Sequence, residues 1–223
     1  DSAGIAVVNN GEIEVRKFKG RLANLANNIK EHPVEGSMGI GHTRWATHGA
    51  PSDVNSHPHL NSKETIAVVQ NGIIENYLPL RNWLKGEGYT FKSETDTEVI
   101  PNLIDYYYEG DLFKAVTNAL KKLEGSYALG VVCKDEPDKL IAVRKECPLI
   151  VGLGKGESFI ASDIPAVLSY TRDVYLLEDH EIAVLKKDGV KLYNTEGDEI
   201  TKDIYHVTWS EDAAEKGGFE DFM

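Results

Sequence analysis

The stretch TIAVVQNGIIENYLPLRNWLKGEG, Thr65 to Gly88, carries the chain from one kind of structure into another. Its first part, Thr65–Ile74, is short and rich in β-branched residues, which predicts a strand. From Asn76 the period changes. Tyr77, Leu80, Trp83 and Leu84 fall on one face of a helix, with Asn76 at the N-cap and Gly86 or Gly88 near the stop.

Two more helical patterns follow. In SETDTEVIPNLIDYYYEG, Thr95 and Glu98 have capping-box spacing, and Val99, Ile100, Leu103, Ile104 and Tyr107 make an apolar stripe. Pro101 fits without strain only in a helix's first turn, so this helix starts nearer Thr97 or its first turn is distorted. DLFKAVTNALKKLEG repeats the pattern with Leu112, Phe113, Val116, Leu120 and Leu123, bracketed by Asp111 and Gly125.

Strand patterns lie on both sides of this helical block. Upstream, GIAVV and EIEVRKF flank Asn9-Asn10-Gly11, a hairpin signal because Asn and Gly tolerate positive φ. SMGIGHTRWAT is a further strand, and HGAPSDVNSHPHLNSKE reads as a long loop of the kind that often carries function. Downstream come SYALGVVCKD, KLIAVRKE, LIVGLG, SFIAS, DVYLLED and EIAVLKKDGVKLYN, with turns at Asp188-Gly189 and Glu196-Gly197. Strands, then helices, then strands, without βαβ alternation, predict an α+β fold. No repeat or linker divides residues 1–223, which read as one domain. The tail EDAAEKGGFEDFM is polar and ends like a cut segment, and without an initiator Met, Asp1 is not expected to be the translation start.

The net charge, 24 minus 36 or −12, argues against nucleic acid as a partner, since an acidic surface repels phosphates. No apolar run approaches a membrane helix and no signal peptide is recognisable. Cys133 and Cys147 form neither a metal-ligand spacing nor a disulfide framework, so the expected location is cytoplasmic.

Four of the seven histidines, His42, His48, His57 and His59, crowd into GHTRWATHGAPSDVNSHPH, Gly41 to His59. His57-Pro-His59 resembles a metal-binding pair but lacks a third ligand, so no metal is expected and the two histidines are read as pinning a turn. Gly152-Leu153-Gly154-Lys155-Gly156 lacks the Gly-Lys-Ser/Thr ending of a phosphate loop and precedes a strand, so it is read as a hairpin. No G-x-S-x-G elbow is present. Asn71-Gly72 has two readings: a type I′ turn, or an amide and a glycine N–H aimed at one point as an oxyanion hole. Arg44 and Asp96 read singly as a surface ion-pair residue and a helix-start residue. Together with Asn71 and Gly72 they form the set an α-amino acid amide needs: a guanidinium for its carboxylate, a carboxylate for its ammonium, and donors for a developing oxyanion.

At HTRWATHG, VVQNGIIEN and SETDTEVI the chain resembles the glutaminase domains of glutamine–fructose-6-phosphate aminotransferases, which are class II glutamine amidotransferases with an N-terminal-nucleophile (Ntn) fold. The resemblance runs from DSAG to GGFEDFM. It implies a four-layer αββα sandwich and, for the intact enzyme, hydrolysis of L-glutamine with ammonia channelled to fructose 6-phosphate, forming glucosamine 6-phosphate. It implies that Arg44 binds the glutamine carboxylate, Asp96 its ammonium, and Asn71 with Gly72 the oxyanion. Trp45 belongs to a closing loop, about Arg44 to Asn55, and gates an ammonia channel. Thr47 and His48 help hold glutamine, and His57 is an active-site neighbour with a positioning role. Position 70 is Gln where the pattern often has His.

No cofactor is implied. The implied nucleophile is an N-terminal cysteine upstream of DSAG, so this chain is expected to be an N-terminally truncated, inactive fragment carrying the clamp alone. Sugar isomerase domains of the same full-length chain are expected downstream, in a homo-oligomeric enzyme. Two alternatives stay open on the sequence: the glutaminase domain of another class II amidotransferase, and a non-catalytic glutamine-binding module.

Overall fold

The computed structural model describes residues 1–209; the tail EDAAEKGGFEDFM lies outside them. In chain order the elements are β1 (Ser2–Asn9), β2 (Glu12–Lys19), α1 (Leu22–Glu31), β3 (Met38–Arg44), β4 (His59–Leu60), β5 (Ile66–Ile74), α2 (Tyr77–Gly86), α3 (Val99–Tyr106), α4 (Leu112–Leu120), β6 (Gly125–Cys133) and β7 (Leu140–Lys145). They continue with β8 (Ile150–Leu153), β9 (Ser158–Ala161), a 3-10 turn (Ile164–Val167), β10 (Asp173–Leu176), β11 (Glu181–Lys186), β12 (Gly189–Asn194), β13 (Glu199–Ile200) and β14 (Tyr205–His206).

The strands make a seven-stranded sheet in the order β13-β12-β11-β7-β6-β5-β4, a three-stranded sheet β2-β1-β3 and a four-stranded sheet β14-β10-β8-β9. All the strand pairs are antiparallel. Side-chain alternation sorts the large sheet's residues into two cores. Ile66, Val68, Leu129, Val131, Ile141 and Ile182 pack under α2, α3 and α4, meeting Leu84, Ile100, Leu103 and Val116. The opposite phase, Val69, Ala128, Val132, Ala142 and Leu185, meets Ala6, Val8 and Ile40 of one small sheet, Val151 of the other, and Leu149 just before β8. Helix α1 lies against β1 and β2, on the face of that sheet turned away from the inter-sheet core. The layers are helix, sheet, sheet, helix, so the α+β expectation holds.

Local readings fare unevenly. Asn10 and Gly11 both take positive φ, 49° and 76°, in the β1–β2 turn, as a two-residue hairpin requires. The glycine run at 152–156 is the β8–β9 hairpin. Pro101 occupies the first turn of α3, and the Asp111 side chain caps α4 by accepting the Lys114 N–H at 3.2 Å.

Three readings are corrected. Thr95 and Glu98 form no capping box: the Glu98 carboxylate accepts from the N–H groups of Lys92 and Ser93, each at 2.7 Å, while the Thr95 hydroxyl meets His59 Nε2 at 3.1 Å. The Asn76 side chain does not cap α2 but ties it to the α4–β6 connection through Lys122 O and Glu124 N–H. Residues Leu22–Glu31 form a helix that the strand-dominated reading of the first third did not contain. Its N-cap, Arg21, makes no capping bond, so the start signal is missing; Leu22, Leu25 and Ile29 do recur at helical spacing, but of these Leu25 alone is buried. Among the described residues no helix is long and apolar enough to cross a membrane.

Candidate active site

Three segments distant in sequence meet at one end of the sheet stack. Strand β3 ends at Arg44, β5 carries Gln70-Asn71-Gly72, and the approach to α3 carries Asp96-Thr97. They surround a cavity of about 430 Å³ that is also lined by His42, Trp45, Thr47, His57 and Ser162. Strands β3 and β5 belong to different sheets, so stacking of the layers is what brings Arg44 above Asn71.

Arg44 is buried. Its Nη2 donates to the backbone carbonyls of His48 and, at 3.1 Å, Gly49, while Nη1 is buried with no partner in the protein. A buried guanidinium nitrogen with free donors is costly unless a ligand oxygen meets it. Burial lowers the arginine's pKa and Asp96 opposes the shift. Asp96 is buried too, and its Oδ2 accepts the Ile74 N–H at 2.8 Å, which fastens the carboxylate to β5. His48 reaches Asp96 only at 3.9 Å. It does not line the cavity; its backbone carbonyl holds Arg44 instead.

Asn71-Gly72 is no turn. It sits inside β5, paired with Ala128 and Tyr127 of β6. Gly72 has φ +108°, a value side-chain-bearing residues rarely adopt, in the middle of a ladder. Asn71 is exposed to the cavity side, and its Oδ1 lies 2.8 Å from His42 Nε2.

His57 is fully engaged. Its Nδ1 accepts the Gln70 N–H at 3.3 Å, its Nε2 meets Thr97 Oγ1 at 3.3 Å, and Thr97 donates to Gln70 Oε1 at 2.5 Å. Burial is the largest of the causes holding His57 and His59 well below the ordinary histidine range, and the nearby Arg44 and Lys17 add to it. With both ring nitrogens of His57 committed, the His57-Pro-His59 pair pins structure, and among the described residues no group of three or more His, Cys, Asp or Glu is placed to share a metal ion.

The segment from Arg44 to Asn55 is tied down at both ends. Ala46 N–H donates to Asp1 Oδ2 at 2.9 Å; at the far end Lys19 N–H donates to Asp53 Oδ1 at 2.6 Å and Lys17 Nζ to Val54 O at 3.1 Å. Trp45 stands between these ties with 66% of its surface exposed. Cys133 is buried in the core beneath the helices, where burial raises its thiol pKa, and neither it nor Cys147 lines the cavity.

Seven of the eight expected site residues, Arg44, Trp45, Thr47, His57, Asn71, Gly72 and Asp96, thus share one cavity. His42, Thr43, Gln70, Thr97 and Ser162 line it as well but were not singled out as site residues. His42 was within reach, because it is two residues from Arg44 on one strand and so shares its face. Ser162 follows β9, far along the chain, and carries no local signal.

A sequence model described as a glutamine amidotransferase domain matches residues 42–169, more than half the chain. Among curated proteins, the glutamine–fructose-6-phosphate aminotransferase (isomerizing) of Clostridium perfringens is 68% identical over 223 residues, all of this chain and 37% of that protein. The proteins of the same name from Clostridium tetani and Aquifex aeolicus are 65% and 51% identical, again over all of this chain and over 37% and 38% of their own lengths. The chain therefore spans little more than a third of these relatives. Among solved structures, glutamine phosphoribosylpyrophosphate amidotransferase from B. subtilis, complexed with ADP and GMP, superposes with TM-score 0.72 at 24% identity, over 87% of this chain and 43% of that one. A structure described as the allosteric regulatory enzyme of purine biosynthesis gives 0.76 at the same identity and coverage. At that identity the likeness is one of fold: the four-layer αββα sandwich of the Ntn amidotransferases. With the match running from within β3 to just past the 3-10 turn, this chain belongs to the glutamine amidotransferase domain family.

Proposed function

We propose that residues 1–223 are the glutaminase domain of an enzyme that hydrolyses L-glutamine and passes the ammonia to fructose 6-phosphate, forming glucosamine 6-phosphate. The observation that carries the reading is the convergence of a buried guanidinium with a free Nη1, a buried carboxylate, and Asn71-Gly72 on one cavity. Arg44 pairs with the α-carboxylate of glutamine and Asp96 with its ammonium. The side-chain amide then extends to Asn71 and Gly72.

The nucleophile in this reading is the thiol of a cysteine that opens a segment preceding Asp1. The geometry supports a place for it. Strand β3 is an edge of one small sheet and β9 an edge of the other. Between them runs a groove of about 380 Å³, walled by Gly39–Thr43 and Ser158–Ser162 and floored by Val69, Ala128 and Gly130. An extended segment laid there would pair with both edges and reach the cavity, which shares His42, Asn71 and Ser162 with the groove. The thiol gives its proton to the cysteine's own α-amine and attacks the glutamine Cδ. The oxyanion forms between the Asn71 Nδ2 and Gly72 N–H donors, ammonia leaves with the proton from the α-amine, and water hydrolyses the γ-glutamyl thioester. Sugar isomerase domains further along the full-length chain bind fructose 6-phosphate, and the whole assembles as a homo-oligomer in the cytoplasm.

The clamp is tested by steady-state kinetics on the full-length enzyme. Arg44→Ala and Asp96→Ala are expected chiefly to raise KM for glutamine, because they hold groups whose charge does not change along the reaction. A fall in kcat with KM untouched in both variants would remove them from the clamp.

Trp45 is read as the gate for ammonia. A core tryptophan cut to alanine costs roughly 3–5 kcal/mol, but this indole is 66% exposed, so Trp45→Ala is expected to leave the melting midpoint nearly unchanged. Glutamate should still form while glucosamine 6-phosphate falls, both measured in one assay. Parallel loss of both products would contradict gating.

A further inference from the structure

We propose that His42 is a positioning residue that holds the Asn71 side-chain amide with its N–H₂ turned to the cavity; this rests on reading Asn71 as an oxyanion donor. An asparagine amide has two nearly isosteric orientations, and only one presents donors to a developing oxyanion. The contact that decides between them is His42 Nε2 to Asn71 Oδ1, at 2.8 Å. Asn71 stands with Oδ1 toward the ring, where it can only accept, and on this assignment the proton of the His42 imidazole sits on Nε2, which donates. A flipped Asn71 would set N–H against N–H, a repulsive contact in place of a hydrogen bond.

The imidazole is itself held. Its ring stacks on His57 with centroids 4.3 Å apart and planes at 19°. His57 Nδ1 accepts the Gln70 N–H, so its Nε2 carries the proton and donates to Thr97 Oγ1; the Thr97 hydroxyl then donates to Gln70 Oε1. The Gln70 N–H, the His57 Nε2–H and the Thr97 hydroxyl each have an acceptor in this ring, while the Gln70 side-chain Nε2 is buried with no partner in the protein. Burial is the largest cause lowering the pKa of both histidines and Arg44 adds to it at each; His42, His59 and Lys17 add to it at His57, while hydrogen bonds to Asn71 and to the Gln70 backbone act the other way at His42. Two neutral rings can stack at this distance. Thr97 adjoins Asp96, so the same assembly that places the ammonium-binding carboxylate also sets the oxyanion donor, by way of His57 and His42.

The consequence is catalytic and confined to kcat, because His42 touches neither end of the amino acid in this reading. The test is a double-mutant cycle on the glutaminase reaction of the full-length enzyme, with melting midpoints recorded alongside. His42→Phe keeps a flat ring for the stack and removes the donor. It is expected to lower kcat about tenfold, the loss that follows from one misdirected hydrogen bond, with KM within about twofold. His42→Gln, whose amide N–H₂ can donate to Oδ1, should recover most of that loss. In an Asn71→Ala background, His42→Phe should have no further effect, because there is no amide left to orient. Should His42→Phe fail to fold, His42→Ala enters the same cycle.

A loss that multiplies with that of Asn71→Ala would overturn the proposal. So would an unchanged kcat in His42→Phe beside a lowered one in Asn71→Ala, and in either case the oxyanion reading would survive. If Asn71→Ala itself leaves kcat unchanged, the oxyanion reading fails and takes this inference with it.

Discussion

Asn71→Ala in the full-length enzyme is expected to lower kcat for glutamine hydrolysis on the order of 10²–10³-fold, the range found when one oxyanion donor is removed. KM should stay close to its original value, because Arg44 and Asp96 continue to grip the amino acid end. Asn71 lies in the interior of β5, where its backbone pairs with Ala128 whatever its side chain, and the side chain is exposed. The melting midpoint should therefore hardly move. Steady-state kinetics and a thermal melt on the same preparation check both halves of the statement. A normal kcat would reduce Asn71 to a strand residue with a hydrogen bond to His42.

Gly72→Ala is expected to act through the opposite quantity. A methyl group there would lie 2.2 Å from the Ser126 carbonyl oxygen, a backbone atom of the paired strand, and 2.9 Å from Cys147 Sγ. Neither the strand nor the φ of +108° accommodates it, so β5 must pull away from β6 or change its backbone. Strain and overpacking together predict a cost of about 3 kcal/mol, which for a chain of this length lowers the midpoint by about 6–12 °C. The Gly72 N–H would shift with the backbone, so glutaminase activity should fall as well. Circular dichroism melts of the 223-residue chain give the first quantity without any assay. A midpoint within a degree of the parent would mean that β5 tolerates a side chain at this point.

The contrast between these neighbours shows where local sequence reasoning stops. Asn-Gly by itself is a hairpin signal, and at Asn10-Gly11 that reading is right because the strands on either side pair with each other. At Asn71-Gly72 the same dipeptide stays in a strand, because residues on both sides pair continuously with β6. The partner, more than fifty residues away, decides the outcome, and no window around residue 71 contains it. Helices α2, α3 and α4 were legible because each buries an apolar stripe against the large sheet. Helix α1 was not recognised: Leu22, Leu25 and Ile29 recur at helical spacing, but no capping side chain marks its start and Leu25 alone of the three is buried.

The site divides in the same way. That a guanidinium, a carboxylate and two N–H donors could serve one amino acid amide followed from the chemistry of Arg44, Asp96, Asn71 and Gly72. That they meet depends on β3 stacking over β5 from a different sheet, which strand patterns do not encode and only the family resemblance supplied. Glu98 illustrates the reverse. Its spacing from Thr95 fits a capping box, yet its carboxylate turns to the N–H groups of Lys92 and Ser93 and closes the loop that presents Asp96.

The central claim is that this cavity grips an amino acid by its two charged ends. The most direct measurement is calorimetric titration of the chain with L-glutamate, which has the α-carboxylate and α-ammonium of glutamine without its amide. The account predicts saturable binding of the L-enantiomer, little heat from the D-enantiomer, and loss of binding in both Arg44→Ala and Asp96→Ala. Equal binding of both enantiomers, or binding that survives both substitutions, would contradict it.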